Sequence, residues 1–136
     1  NAKDILDKIK EEIETKENRM IKFGVFMKNN PLKIIGTVVF SNIVYGPFLS
    51  CYLGYRLDEQ ENGKGYISEA IRSCVQYAFD VLMLHRIEAN IVPENIRSIH
   101  VVEKLGFKLE GCSEKYLQIN GKWEAHLHYV ILNKKI

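Results

Sequence analysis

The run Leu53-Gly54-Tyr55-Arg56-Leu57 reads as a strand, and a long helical pattern begins near Tyr66. Between them lies Gln60-Glu61-Asn62-Gly63-Lys64-Gly65. Two glycines two apart at a strand-to-helix turn let the backbone curl into positive φ and approach a ligand with no Cβ in the way. The amides of such a turn, with the unpaired N–H groups opening the next helix, form a nest that favours a phosphate or pyrophosphate. The spacing is Q-x-x-G-x-G. A P-loop would end in Gly-Lys-Ser/Thr, whereas Gly63-Lys64 runs into Gly65. A dinucleotide fingerprint would need a third glycine where Ser68 stands. A glycine-softened turn with a helix cap accounts for the same residues without any ligand, so the loop alone leaves both readings open.

The 136 residues, 46% hydrophobic and 26% charged, suit one globular domain with a core of its own. The 19 basic residues are interleaved with 17 acidic ones for a net charge of +2, and no basic stripe marks a nucleic-acid groove. No apolar run approaches the roughly 18 to 20 residues of a membrane span, and no signal peptide opens the chain. The scattered cysteines, Cys51, Cys74 and Cys112, fit neither a disulfide framework nor a zinc pattern, which points to a reducing, cytoplasmic setting. Cys74 shares a helical stripe with Ile67, Ile71, Ala78 and Leu82 and reads as a buried thiol.

Residues 4–16 carry Ile5, Leu6, Ile9 and Ile13 among charges, the pattern of an amphipathic helix. Strands are expected over residues 21–27, 32–40, 49–57 and 86–92, with a turn at Asn29-Asn30-Pro31 and a loop over 42–47. The long helix runs over residues 66–82. A second helix spans 95–105 and is closed by Gly106, where a C-terminal glycine belongs. Two last strands, 107–119 and 123–132, flank Asn120-Gly121, the strongest short hairpin signal. The order α-β-β-β-α-β-α-β-β predicts a single α/β (α+β) domain, a mixed sheet with helices on its faces.

Two motifs at a fixed separation carry a resemblance. The glycine loop is followed, one strand later, by Pro93-Glu94-Asn95-Ile96-Arg97-Ser98 and then Glu103-Lys104-Leu105-Gly106-Phe107. This resembles the GNAT superfamily of acetyl-CoA-dependent N-acetyltransferases. Leu57-Asp58-Glu59 and the closing Ile119-Asn120-Gly121-Lys122-Trp123 are similar to the branch that acetylates the alanine or serine N-termini of ribosomal proteins. The match covers about residues 20–132. It implies a twisted mixed sheet whose central strands splay apart, with pantetheine along Tyr55, Arg56 and Leu57. The pyrophosphate would rest on Gln60, Glu61, Asn62, Gly63, Lys64, Gly65 and the start of the helix at Tyr66, with Asn95 and Ser98 touching the arm. Members begin with a further strand and helix, so about forty residues are expected ahead of Asn1, which is not a methionine.

The same resemblance assigns Glu59 as general base and Ser98 as the acid for the leaving thiolate, and the neighbouring Asp58 is the runner-up for the base. Many members use a tyrosine four residues before the glycine of L-G-F, and here that position is Val102. Ser98 and Asn95 also fit a helix's first turn and N-cap with no catalytic part. No Cys–His or Ser–His pair is suggested by the sequence, so direct attack without an acyl-enzyme is expected. His126 and His128 alternate along one strand, but no acidic or cysteine motif accompanies them and no metal is expected. Tyr116 and Trp123 line an acceptor groove or merely cover the sheet. The expected acceptor is a protein N-terminus, ribosomal above all, with a polyamine, an aminoglycoside or an inactive CoA-binding module as alternatives. Monomer and homodimer both remain open.

Overall fold

The computed structural model describes residues 5–14 and 19–136, with side chains from Arg19 onward. Seven strands form one sheet in the order β1-β2-β3-β4-β5-β7-β6. They are β1 (Ile5–Glu14), β2 (Arg19–Met27), β3 (Asn30–Val44), β4 (Ser50–Leu57), β5 (Arg86–Ile91), β6 (Lys108–Ile119) and β7 (Lys122–Leu132). A 3-10 turn (Glu59–Glu61) follows β4, and two helices, α1 (Tyr66–Asp80) and α2 (Ile96–Lys104), flank β5 in sequence. The mixed sheet and the α/β class match expectation, and two local readings are corrected. The helix expected over residues 4–16 is instead β1, paired antiparallel to β2 from Ile9↔Gly24 to Glu14↔Arg19. Ile9 and Ile13 are four residues apart, an even separation that meets a period of two as well as 3.6. The pattern therefore fits either element, and pairing with β2 selects the strand. The loop expected over 42–47 starts later, because β3 continues to Val44 and pairs it with Ser50.

Alternation along the strands sends one set of side chains under the helices. Cys51 and Leu53 of β4, Ile87, Ala89 and Ile91 of β5 and Tyr129 of β7 share a core with Ile71, Cys74, Val75 and Ala78 of α1 and Val102 of α2. The stripe predicted for α1 is thus the buried one. Phe23 meets Phe40 and Tyr77 edge-on, with ring centroids 6.0 and 5.6 Å apart. At the end of α2, Gly106 takes φ +94°, and Phe107 N–H donates to the Val102 carbonyl at 3.0 Å. Those bonds make a Schellman closure, which accounts for the glycine in L-G-F. Asn120 and Gly121 turn the β6–β7 hairpin at φ +52° and +78°, the geometry this dipeptide favours.

What positions the site is where pairing stops. The parallel β4–β5 ladder runs from Ser50↔Arg86 to Leu53↔Ala89 and goes no further. Beyond it, Gly54 to Leu57 pair only with β3, while Asn90 and Ile91 pair only with β7. A gap bounded by strand backbone opens between the two central strands.

Candidate active site

The 60–65 loop continues from the open end of β4. Asp58 N–H donates to the Ile35 carbonyl at 2.7 Å, which ties the chain to β3 before the 3-10 turn begins. Asn62 N–H then donates to the Glu59 carbonyl at 3.2 Å. Gly63 and Gly65 both lie in the left-handed region, at φ +82° and +81°. A Cβ built on Gly63 would meet nothing within 4 Å, so backbone conformation, rather than crowding, requires glycine there. Gly65 is the N-cap of α1, and no side chain caps that helix. An uncapped helix N-terminus behind two left-handed glycines is a donor-rich concavity of the kind that accepts phosphate. Lys64 lies 3.1 Å from Glu61 and 5.9 Å from the Tyr66 ring centroid. Tyr66 itself is buried, so its side chain serves the core. Gln60 and Arg56 are exposed.

Ser98 and Tyr55 meet across the gap on its helix side. Asn95 is the N-cap of α2, and its Oδ1 accepts from Ser98 N–H at 3.2 Å. The Tyr55 hydroxyl donates to the Ser98 carbonyl at 3.1 Å, a bridge from β4 to the first turn of α2. Burial pushes the Tyr55 phenol above its usual range, with a hydrogen bond to the Ser98 side chain acting the other way. The Ser98 side chain thus also meets the Tyr55 phenol, and no hydrogen bond from its Oγ to the local backbone is formed among the described residues. Val102, the position of the expected phenolic acid, is fully buried among aliphatic side chains. Glu59 stands exposed as the first residue of the 3-10 turn, with Asp58, also exposed, before it.

The opposite face of the sheet carries a polar cluster that the sequence reading did not assemble. His128 Nε2 lies 2.7 Å from Ser113 Oγ, and its Nδ1 bonds to Asn90 Oδ1. Glu88 Oε2 is 3.6 Å from the same Nδ1, and Arg86 holds Glu88 at 2.7 Å. The Tyr116 ring meets the His128 ring edge-on at 4.8 Å. Burial, then a hydrogen bond with Tyr52, raises the Tyr116 phenol. Four of these residues, Arg86, Glu88, Tyr116 and His128, line a recess of about 290 Å³ together with Glu110 and Gly111. The expectation of no Ser–His pair is therefore corrected. His126 and His128 do share a face, yet His126 Nδ1 donates to the Glu124 carbonyl at 3.0 Å. No group of three or more metal-ligating side chains is assembled among the described residues. A larger groove of about 940 Å³ lies between the C-terminal half of α1 and β7, lined by Phe79, Phe107 and Ile131. It is at the other end of α1 from the glycine loop and is no part of the site. No helix among the described residues is long and apolar enough to cross a membrane.

A left-handed glycine loop at a helix start, joined to a sheet split open beside it, is the architecture of an acetyl-group transferase. Residues 1–108 match the family model described as an acetyltransferase (GNAT) domain, and the chain belongs to that family. It is similar to the probable N-acetyltransferase YjcK of Bacillus subtilis, 46% identical over 111 residues, which are 82% of this chain and 61% of the relative. The ribosomal protein uS5-alanine N-acetyltransferase of Escherichia coli is 39% identical over 112 residues, 82% of this chain and 57% of that protein. Among solved structures, Mycobacterium smegmatis RimJ in complex with CoA-disulfide superposes with a TM-score of 0.81 at 30% identity, covering 87% of this chain and 55% of that one. The chain thus spans about 60% of the length of the curated relatives it matches.

Proposed function

We propose that this protein transfers an acetyl group from acetyl-CoA to an amine, and that the amine is the N-terminal α-amine of a protein, ribosomal in the first instance. The observation that carries the reading is the pair of left-handed glycines at the uncapped start of α1, directly beyond a β4 edge that β5 leaves unpaired. The loop amides suit the pyrophosphate and the free β4 edge at Tyr55, Arg56 and Leu57 suits the amide-bearing pantetheine arm, as in a strand addition. Asn95 and Ser98 border the same gap. The CoA-bound relative and the uS5-alanine relative support the donor and the acceptor respectively.

The chemistry needs a neutral amine and a proton for the departing thiolate. An α-amine with pKa near 7.8 costs only about 1 kcal/mol to neutralise at pH 7, whereas a lysine amine near 10.4 costs about 4.6 kcal/mol. A modest base therefore suffices for the proposed acceptor. Ser98, whose side chain meets the Tyr55 phenol at the gap, supplies the thiolate proton, and the resemblance assigns the base to Glu59. The test is acetyl-CoA-dependent thiol release with peptides starting in Ala or Ser, spermidine and an aminoglycoside. Turnover confined to the peptides is expected. Turnover only with the small amines replaces the acceptor, and tight CoA binding with no turnover makes the chain a CoA-binding module.

A further inference from the structure

We propose that the acceptor amine gives up its proton to a Ser113–His128 relay on the face of the sheet opposite α1 and α2. This inference deepens the acetyl-transfer reading and rests on it. Ile87, Ala89 and Ile91 are buried toward the helices, so Glu88 and Asn90 of β5 point the other way. The β4–β5 ladder ends at Leu53↔Ala89, and Asn90 is thus the first β5 residue past the split on that face. It pairs directly with His128. On the β4 side the facing residue is Gly54, where an added Cβ would meet nothing within 4 Å. Asn90 thus stands at the open gap on this face, with His128 directly beside it. Ser98 and Tyr55 border the gap from the helix side, so the proton donor for the thiolate and the relay flank it from opposite faces.

The bonding fixes the direction of the relay. With Asn90 Oδ1 accepting from Nδ1–H, His128 Nε2 is the acceptor, and the Ser113 hydroxyl donates to it. Ser113 Oγ keeps lone pairs to receive a proton from an ammonium. As that proton arrives on Oγ, the hydroxyl's own proton passes to Nε2. The amine is left neutral and His128 becomes an imidazolium with Glu88 3.6 Å from Nδ1. The neutral amine then attacks the thioester carbonyl, the C–S bond breaks, Ser98 gives its proton to the thiolate, and the surplus proton on the attacking nitrogen replaces it on Ser98. The imidazolium returns its proton to solvent through Ser113. One proton is released per turnover, as conversion of an ammonium and a thioester to an amide and a thiol demands. Ser113 is the group that meets the amine, and His128 acts through it. Arg86 holds Glu88 in place. Glu59 lies beyond the far end of β4, and Leu53 to Leu57 alone is roughly 13 Å at about 3.3 Å per residue. It adjoins the phosphate loop, whereas the relay adjoins the split.

Ser113→Ala, Ser113→Thr, His128→Ala and Glu59→Gln, compared by steady-state kinetics on one Ala-starting peptide and by calorimetry with acetyl-CoA, test this. Ser113→Ala and His128→Ala should lose about 10²-fold in kcat with acetyl-CoA affinity unchanged. Ser113→Thr, which keeps the hydroxyl, should retain most of the activity. Added imidazole should restore His128→Ala and leave Ser113→Ala inactive, a recovery that a merely structural histidine would not show. Wild-type kcat in both alanine variants overturns the relay, as does a His128→Ala defect that imidazole leaves untouched. Collapse in Glu59→Gln beside an unaffected Ser113→Ala returns the role to Glu59 and also overturns it. An acetyl adduct on Ser113 with acetyl-CoA alone would make it a nucleophile, again against the proposal. A wild type that turns over no amine removes the acetyl-transfer reading and the relay together. An active wild type with indifferent relay variants removes the relay alone.

Discussion

Ser98 shows how one side chain can satisfy a structural motif and still be available to chemistry. Its N–H goes to Asn95 and its carbonyl to Tyr55, so the backbone is fixed at two points while the side chain, which meets the same phenol, is spared any capping bond. Ser98→Ala should therefore leave the α2 cap intact and lower kcat, with little change in acetyl-CoA affinity, because it acts on charge that develops as the thiolate leaves. An unchanged turnover number would reduce Ser98 to a helix residue. Glu59 is checked by a pH–rate profile of wild type and Glu59→Gln on an Ala-starting peptide. If Glu59 is the base, the variant should fall by about 10²-fold at pH 7, and the gap should narrow as pH passes the amine's own pKa near 7.8. A constant gap from about pH 6.5 to 9.5 excludes it, since a neutral amine needs no base.

At the scale of the element, the loop and the start of α1 are one device. Left-handed φ at Gly63 and Gly65 turns successive amides inward, and the absence of a side-chain cap leaves the helix start to a ligand. Gly63→Val and Gly65→Val should each weaken acetyl-CoA binding by at least about tenfold, since a β-branched residue resists positive φ. Isothermal titration at wild-type affinity in both variants would show that the phosphate rests elsewhere. The hairpin is the element where sequence reading came nearest to the hidden cluster. Asn120-Gly121 sets Ile119 opposite Lys122, and carried along the strands that register puts Ser113 opposite His128. The ladder in fact shifts between Ser113 and Leu117, where Lys115 takes φ +50°, and Ser113 pairs with His126. The serine reaches His128 diagonally, a contact that tight-turn register by itself does not give.

Across the whole molecule, the Arg86–Glu110 pair joins β5 to β6 over the intervening β7. The hydrogen bond from Arg86 holds the Glu110 carboxyl below its ordinary value of 4.5. A carboxylate lowered in the folded state contributes stability above its unfolded pKa and loses it as pH falls through the folded one. Wild type should therefore melt slightly above Glu110→Gln at pH 7, by less than about 1 kcal/mol because Glu110 is half exposed. The difference should vanish well below pH 4.5. Melting curves of the two proteins across that range check it, and a difference that persists in acid would show that the pair is not what the substitution removes.

The local chemistry of the chain determined a good deal by itself. Gly63 and Gly65 are free to take positive φ, Gly106 closes α2, Asn120-Gly121 turns a hairpin, and the apolar stripe through Ile71, Cys74 and Ala78 must be buried. These are properties of short segments, and they were legible as such. Tertiary structure decided what depends on partners far along the chain. Residues 5–14 fit two periods, and the edge of β2 selected the strand. The setting of Ser98 became visible only with Tyr55 brought across the gap from 43 residues away in sequence. The His128 cluster draws Ser113, Asn90 and Glu88 from three strands whose order, β5-β7-β6, is not their order in sequence. A side chain's periodicity is fixed by its own backbone, but its neighbours across a sheet are fixed by which strands pair and in what register.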